Sequence, residues 1–89
     1  MELRVDFPSL PQGMELEQMK REVADVLEDD GWLLASGQTE QGGFLELELE
    51  DERMNPKYGI LAVRAYLQRT GFPAQTTIEL AGTQTPIYD

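Results

Sequence analysis

Hydrophobic and polar residues alternate strictly through residues 44–50, which read FLELELE. Successive side chains of a strand point to opposite faces, so this period predicts a strand with Leu45, Leu47 and Leu49 on one side and glutamates on the other. The same alternation recurs in residues 2–7, ELRVDF. Both segments are therefore predicted to be strands with one buried side and one side that faces solvent.

Helical spacing replaces alternation in two longer segments. Apolar residues recur every three or four positions through residues 16–27 and again through residues 60–67, which places them on one face of a helix. Gly31 is a natural residue to follow the first helix. Asn55-Pro56 supplies an N-cap and a first-turn proline for the second. Two amphipathic helices are therefore predicted.

Two further strands complete the order of elements. Residues 32–38 and 75–81 read as strands, and residues 41–43, QGG, are typical of a hairpin turn. The resulting order β-α-β-β-α-β predicts an α+β fold, a ferredoxin-like two-layer sandwich of two helices on one antiparallel sheet with strand order 4-1-3-2. Residues 1–82 are the predicted single domain, and residues 83–89 are a C-terminal tail expected to pack on the edge of the sheet.

The charge of the chain narrows its expected partners. The 89 residues include 17 acids and 7 bases, for a net charge of −10. Residues 53–78 contain four basic residues and no acid, for a net charge of +4, so the rest of the chain has a net charge of −14. An acidic surface repels nucleic-acid phosphates and anionic lipids, so neither nucleic acid nor a membrane is expected to bind. The N-terminal residues lack a signal-peptide pattern and the chain has no cysteine, which favours a cytoplasmic location.

Residue types needed for common catalysis are missing. The chain has no histidine and no cysteine, which removes serine–histidine triads, imidazole and thiolate metal sites, and the usual general base near neutral pH. Its many carboxylates follow exposed patterns, whereas an acid–base pair needs one carboxyl with a pKa raised by burial. An enzyme is therefore not expected, and no cofactor or metal is predicted.

Acidic residues form the candidate partner-binding site. The predicted topology brings the end of the first helix and the end of the third strand to the same pole of the molecule, next to the glutamate row. A row of charges on a strand is also what an ordinary solvated face requires, and a hard cation would need a ligand spacing that this pole lacks. The functional hypothesis is a small non-catalytic interaction or regulatory domain that binds a protein, with a basic partner favoured. The candidate residues are Glu46, Glu48, Glu50, Asp51, Glu52, Asp29 and Asp30.

The second strand is the candidate for self-association. Edge strands are normally protected from pairing with other chains by charge, proline or a bulge. Residues 32–38 contain no charge and no proline, and no bulge is expected in them. A homodimer through strand 32–38 is the resulting hypothesis, with Trp32, Leu33 and Ala35 as contact residues. Trp32 itself is expected in the core, because its large apolar area favours burial. A hairpin loop of odd length would turn it outward.

Two alternative functions remain open. The first is a dimeric small-molecule sensor similar to ACT domains, whose first helix follows a turn that Asp6-Phe7-Pro8-Ser9 loosely resembles. That resemblance implies ligand contacts from residues 7–13, FPSLPQG, rather than from the glutamates. The second is an acidic mimic of nucleic acid, because alternate residues of a strand repeat at about 6.6–6.8 Å.

Overall fold

The computed structural model of the chain describes residues 2–27, 31–40, 42–49, 57–80 and 82–88. It is an α+β structure in which two helices cover one side of a five-stranded antiparallel sheet. Both helices and four of the five strands form where the sequence predicts them, with bounds that differ by a few residues. The elements are β1 (Glu2–Phe7), α1 (Leu16–Leu27), β2 (Gly31–Thr39), β3 (Gly42–Leu49), α2 (Lys57–Thr70), β4 (Thr77–Leu80) and β5 (Thr83–Pro86).

The sheet order is β2-β3-β1-β4-β5. The predicted order 4-1-3-2 leaves out the fifth strand, which forms from residues assigned to the tail. Gly82 has a positive φ of 83°, a conformation that lets the chain reverse after β4. Thr83 then pairs with Leu80, and the ladder continues to Pro86 opposite Thr77.

The core lies between the sheet and the helices. One side of β1 and β3 supplies it, because Leu3 and Val5 are buried together with the three leucines of β3. Each of these strands is buried at every second residue, as the alternation predicts. No helix of the described residues is both long and apolar enough to cross a membrane. The buried apolar residues are Leu3, Val5, Phe7, Met19, Val23, Leu27, Leu45, Leu47, Leu49, Val63, Tyr66, Leu67, Phe72, Ile78 and Ile87.

Ile87 shows that the residues after β5 belong to this core. Its side chain is fully buried, and its backbone N–H donates to the carbonyl of Thr76 at 3.2 Å. The carbonyl of Ile87 accepts hydrogen bonds from Arg64 Nε at 3.1 Å and from the Gln68 side chain. Two polar groups of α2 therefore hold the segment that follows β5.

A buried hydroxyl links the two helices. Tyr66 of α2 donates to Glu22 Oε1 of α1 at 2.6 Å. This hydrogen bond is the main reason that the pKa of Glu22 lies below its ordinary value. Burial, followed by the same hydrogen bond, raises the pKa of Tyr66 well above its ordinary value. The pair therefore favours a charged carboxylate beside a neutral phenol.

Replacing Tyr66 with phenylalanine is expected to raise the pKa of Glu22 towards its ordinary value, because the carboxylate loses its hydroxyl donor. A lowered folded-state pKa contributes stability that is present above the unfolded-state pKa of about 4.3 and is lost as the pH falls through the folded value. The fall in stability below about pH 4 should therefore be shallower in the variant. Carboxyl-carbon NMR titration of Glu22 and urea unfolding from neutral to acid pH measure both effects.

The matched control is Tyr88→Phe. The Tyr88 hydroxyl donates to the carbonyl of Phe72 at 2.9 Å, so its removal takes away a phenol without touching a carboxylate. The titration of Glu22 should be the same in this variant as in the parent. An unchanged Glu22 titration in Tyr66→Phe would contradict the assigned cause of the shift.

Candidate partner-binding face

The side of the sheet that faces away from the helices is lined by charged residues. Because side chains alternate along β1 and β3, the positions between the buried residues all point to this side. Neighbouring strands place these residues in one layer: Arg4 lies between Glu46 of β3 and Glu79 of β4. We call this layer the acidic face, and its residues are Glu2, Arg4, Asp6, Glu46, Glu48 and Glu79.

Arg4 is the cation of this face, and it is held by carboxylates. Its Nη1 lies 2.9 Å from Glu46 Oε1, and its Nε lies 3.0 Å from Asp6 Oδ1. The guanidinium also lies over the ring of Phe44, 4.4 Å from the ring centre. The hydrogen bond with Asp6 is the main cause that raises the pKa of Arg4 above its ordinary value. Two carboxylates thus pair with the one positive charge among the described residues of this face, and those residues keep a net negative charge.

Glu48 lies further along β3 in a different setting. The strand register places it directly opposite Glu2 of β1 and opposite Trp32 of β2. Like charges that face each other across a strand pair repel, whereas opposite charges in the same positions attract. This end of the acidic face therefore combines two carboxylates with an aromatic side chain.

Trp32 lies on the acidic face, so the expectation that it is a core residue is wrong. Its side chain is 51% exposed. Thr39 pairs with Gly42, which gives an even, two-residue loop, and Ser36 pairs with Leu45. Continued without interruption, that register would place Trp32 opposite Leu49 on the core side.

A β-bulge at Leu34 reverses the direction of Trp32. The register shifts between Leu33 and Ala35, so Leu33 lies opposite Leu47 and Trp32 lies opposite Glu48. A shift by one residue exchanges the two faces of a strand. The tryptophan therefore turns outward while Leu33 packs against the core.

The same bulge corrects the expectation about the edge of the sheet. Strand 32–38 was expected to have no protecting feature, but a bulge is one of the features that disturb pairing at an edge. Leu34 is 47% exposed and Ala35 is also exposed. Of the three residues proposed for self-association, Trp32 and Ala35 are thus accessible, whereas Leu33 is directed towards the helix layer.

Aromatic contacts of the face were not predicted. A Cβ atom at Gly37 would lie 2.6 Å from the ring of Phe44, its direct cross-strand neighbour. The ring therefore covers the glycine on one side and carries Arg4 on the other. The sequence did contain one indication of this contact. Phe44 begins the alternating segment 44–50, and the alternation places it on the same face as the glutamates.

Part of the predicted acidic site lies outside the described residues. Glu46 and Glu48 are placed on the acidic face, whereas Glu50, Asp51, Glu52, Asp29 and Asp30 belong to segments that the structure does not describe. Within the described ranges, no three acidic side chains are grouped so that they could hold a metal ion.

The chemistry of the described face is that of ion pairing and aromatic contact. Carboxylates accept short, charge-assisted hydrogen bonds from lysine and arginine, and the exposed indole of Trp32 offers both apolar area and a π face. The arrangement around Arg4 is an example of such binding within the chain itself. Comparisons with protein-family models, with curated proteins and with solved structures found no match to this chain.

Proposed function

We propose that this chain is a small, non-catalytic interaction or regulatory domain that binds a basic segment of a partner protein through its acidic face. The observation that supports this most directly is the exposed Trp32 beside Glu48, on a face where Arg4 is already balanced by Asp6 and Glu46. A partner cation would meet a layer of five carboxylates and one arginine on this face, with an aromatic contact next to it.

Binding energetics support the same choice. Complementary charge raises the rate of encounter and selects the sign of the partner. Residues that contribute most of the binding energy in interfaces are often tryptophans surrounded by polar groups. Basic grooves of nucleic-acid-binding proteins are one class of partner surface that fits an acidic face of this kind.

We expect Glu48→Lys to weaken binding of a lysine- and arginine-rich peptide by at least about fivefold. The new lysine repels the peptide, and it also faces Glu2, so the folded state gains an opposite-charge pair. Fluorescence anisotropy with a labelled peptide measures the affinity. The parent protein should bind less tightly as salt rises from about 10 to 100 mM, because the screening length falls from roughly 30 to 10 Å.

Asp25→Lys is the control with the same change in charge. Asp25 is exposed on α1, on the opposite layer of the molecule from the acidic face. If only the net charge mattered, the two variants would lose affinity equally, and the acidic face would not be the binding site. A loss confined to Glu48→Lys supports the proposal.

The second candidate is a small-molecule sensor. A groove of about 480 Å³ lies where β1 ends, and the residues lining it include Phe7 and Pro8 of the loop that the sensor hypothesis invokes, with Arg4, Phe44 and Gln75. Thermal-shift screening with amino acids and nucleotides tests this candidate. A stabilising compound whose effect survives Glu48→Gln would favour the sensor over the protein-binding domain.

We also propose that the sandwich is of the ferredoxin-like type with β5 added at one edge, and that the domain works in the cytoplasm. The alternation of helices and strands supports the first statement. The absence of cysteine supports the second. A homodimer through β2 stays a hypothesis for the oligomeric form, and such a dimer would cover the edge of the sheet beside Trp32.

A further inference from the structure

β2 is an outermost strand of the sheet. No strand of the described residues lies beyond it, and its nine residues carry no charge. The outer side of an edge strand presents backbone N–H and C=O groups in a row, which an extended segment of another chain can pair with. The edge at β2 can thus accept an added strand.

The regular part of this edge lies after the bulge. Ser36, Gly37 and Gln38 pair in unbroken register with β3, whereas the bulge at Leu34 disturbs the ladder before them. Side chains alternate along this part, so Ser36 and Gln38 point towards the helix layer and Gly37 points towards the acidic face. Directly paired residues share a face, so a segment added here would also present alternate side chains to the two sides.

The two sides of β2 offer different surroundings. On the helix side lies a groove of about 440 Å³ with apolar walls and two carboxylates, which we call the side groove. On the other side lies the acidic face, where Ala35 is the small residue opposite Glu46 and Trp32 is exposed. The side groove is lined by Leu10, Met14, Glu15, Leu16, Glu17 and Gln38.

Distances along the sheet allow an added strand to use both surroundings. Neighbouring strands lie about 4.8 Å apart, so the added backbone would be roughly 10 Å from β3. A long lysine or arginine side chain can cross the small Ala35 and meet the carboxylate of Glu46 within that distance. The side chains between them, which point to the other face of the added strand, would reach the side groove.

We propose that the partner's basic segment binds as an added strand along residues 36–38 of β2. Its residues alternate between basic and apolar. The basic ones cross to the acidic face over Ala35, at the start of this stretch, towards Glu46, and the apolar ones enter the side groove. This binding mode rests on the proposed function. It identifies the partner as an extended segment in which basic and apolar residues alternate.

Synthetic peptides of about eight residues that alternate lysine with valine, leucine or phenylalanine test the mode. Each is compared with a scrambled peptide of the same composition, and with a version N-methylated on the residues that would face β2. We expect the alternating peptide to bind at least about tenfold more tightly than either comparison peptide. Hydrogen exchange should slow at those amides of residues 36–38 that point away from β3, and the fluorescence of Trp32 should change.

Substitutions at the two edges provide the matched pair of variants. Gln38→Lys adds a positive charge at the side groove on β2, and Thr83→Lys adds the same charge on the helix side of β5, the strand at the other edge. Gln38 and Thr83 are both exposed, so both variants should fold. The first should weaken binding of the alternating peptide several-fold, and the second should leave it close to that of the parent.

The outcomes separate this mode from the proposed function. If alternating and scrambled peptides bind equally, with steep salt dependence and a loss in Glu48→Lys, the acidic face is the site and strand addition is wrong. Protection of β5 in place of β2, or a dimer of the free protein held through β2, also overturns strand addition. Absence of binding by every peptide overturns both proposals.

Discussion

Replacing Ile87 with alanine is expected to lower the free energy of unfolding by about 2–5 kcal/mol. The isoleucine side chain is fully buried, so its truncation removes apolar contact and leaves a cavity. A domain of this size is stable by only about 5–15 kcal/mol. The loss should lower the midpoint of thermal unfolding by roughly 10 °C or more, and circular dichroism during heating and in urea measures it.

The hydrogen bonds of Ile87 all involve its backbone, so the expected loss of stability comes from the packing of its side chain. The hydrogen bonds from Arg64 and Gln68 go to the carbonyl of Ile87, and the N–H of Ile87 donates to Thr76. Alanine keeps all of these groups. The change in stability should therefore report the buried side chain and not the hydrogen bonds.

Leu61→Ala is the control, because it also shortens an aliphatic side chain. Leu61 is 57% exposed on α2, and substitutions at such surface positions usually change stability by less than about 0.5 kcal/mol. Equal effects of the two substitutions would mean that the segment after β5 does not belong to the core.

The segment that ends at Ile87 also shows how far the alternation of apolar and polar residues can predict structure. Alternation identifies a strand when it continues over several residues, as it does before and after Leu47. Residues 83–86 read TQTP and contain no apolar residue, so no face of β5 carries a hydrophobic signal. This strand forms because it pairs with β4 and because Ile87 is then drawn into the core.

The candidate site was predictable to the same extent. The outward direction of Glu46 and Glu48 follows from alternation with buried leucines, and the outward direction of Arg4 follows from its alternation with Leu3 and Val5. The direction of Trp32 could not be predicted, because it depends on a bulge at Leu34. Leucine is no marker of a bulge, and nothing else in strand 32–38 signals a one-residue shift.

A last prediction concerns the close approach of β1 to the start of β3. Gly42→Ala is expected to destabilise the domain by roughly 2–6 kcal/mol, of which about 1–3 kcal/mol comes from backbone strain and about 1–3 kcal/mol from overpacking. Gly42 has φ of 135°, which side-chain-bearing residues rarely adopt. A Cβ atom there would overlap the carbonyl oxygen of Phe7 and lie 2.9 Å from Cα of Pro8.

Neither of these contacts can be relieved by a rotamer change, because both are with backbone atoms. Phe7 cannot withdraw easily either, since it pairs with Gly43 and its ring packs against Phe72 at a centroid distance of 5.7 Å. Gly82→Ala separates the two contributions. Gly82 also has a positive φ, of 83°, but a Cβ atom there would meet nothing within 4 Å, so this variant should lose only about 1–2 kcal/mol.

Urea unfolding of both variants at neutral pH measures the difference. We expect Gly42→Ala to be the less stable by more than about 1 kcal/mol, because only this variant forces β1 and β3 apart. The same two strands hold Arg4 opposite Glu46, so the separation should also weaken the ion pair of the acidic face. Equal stabilities would show that β1 does not approach the turn as closely as Gly42 allows, and the layer of charges would then lack the support that the β1–β3 pairing gives it.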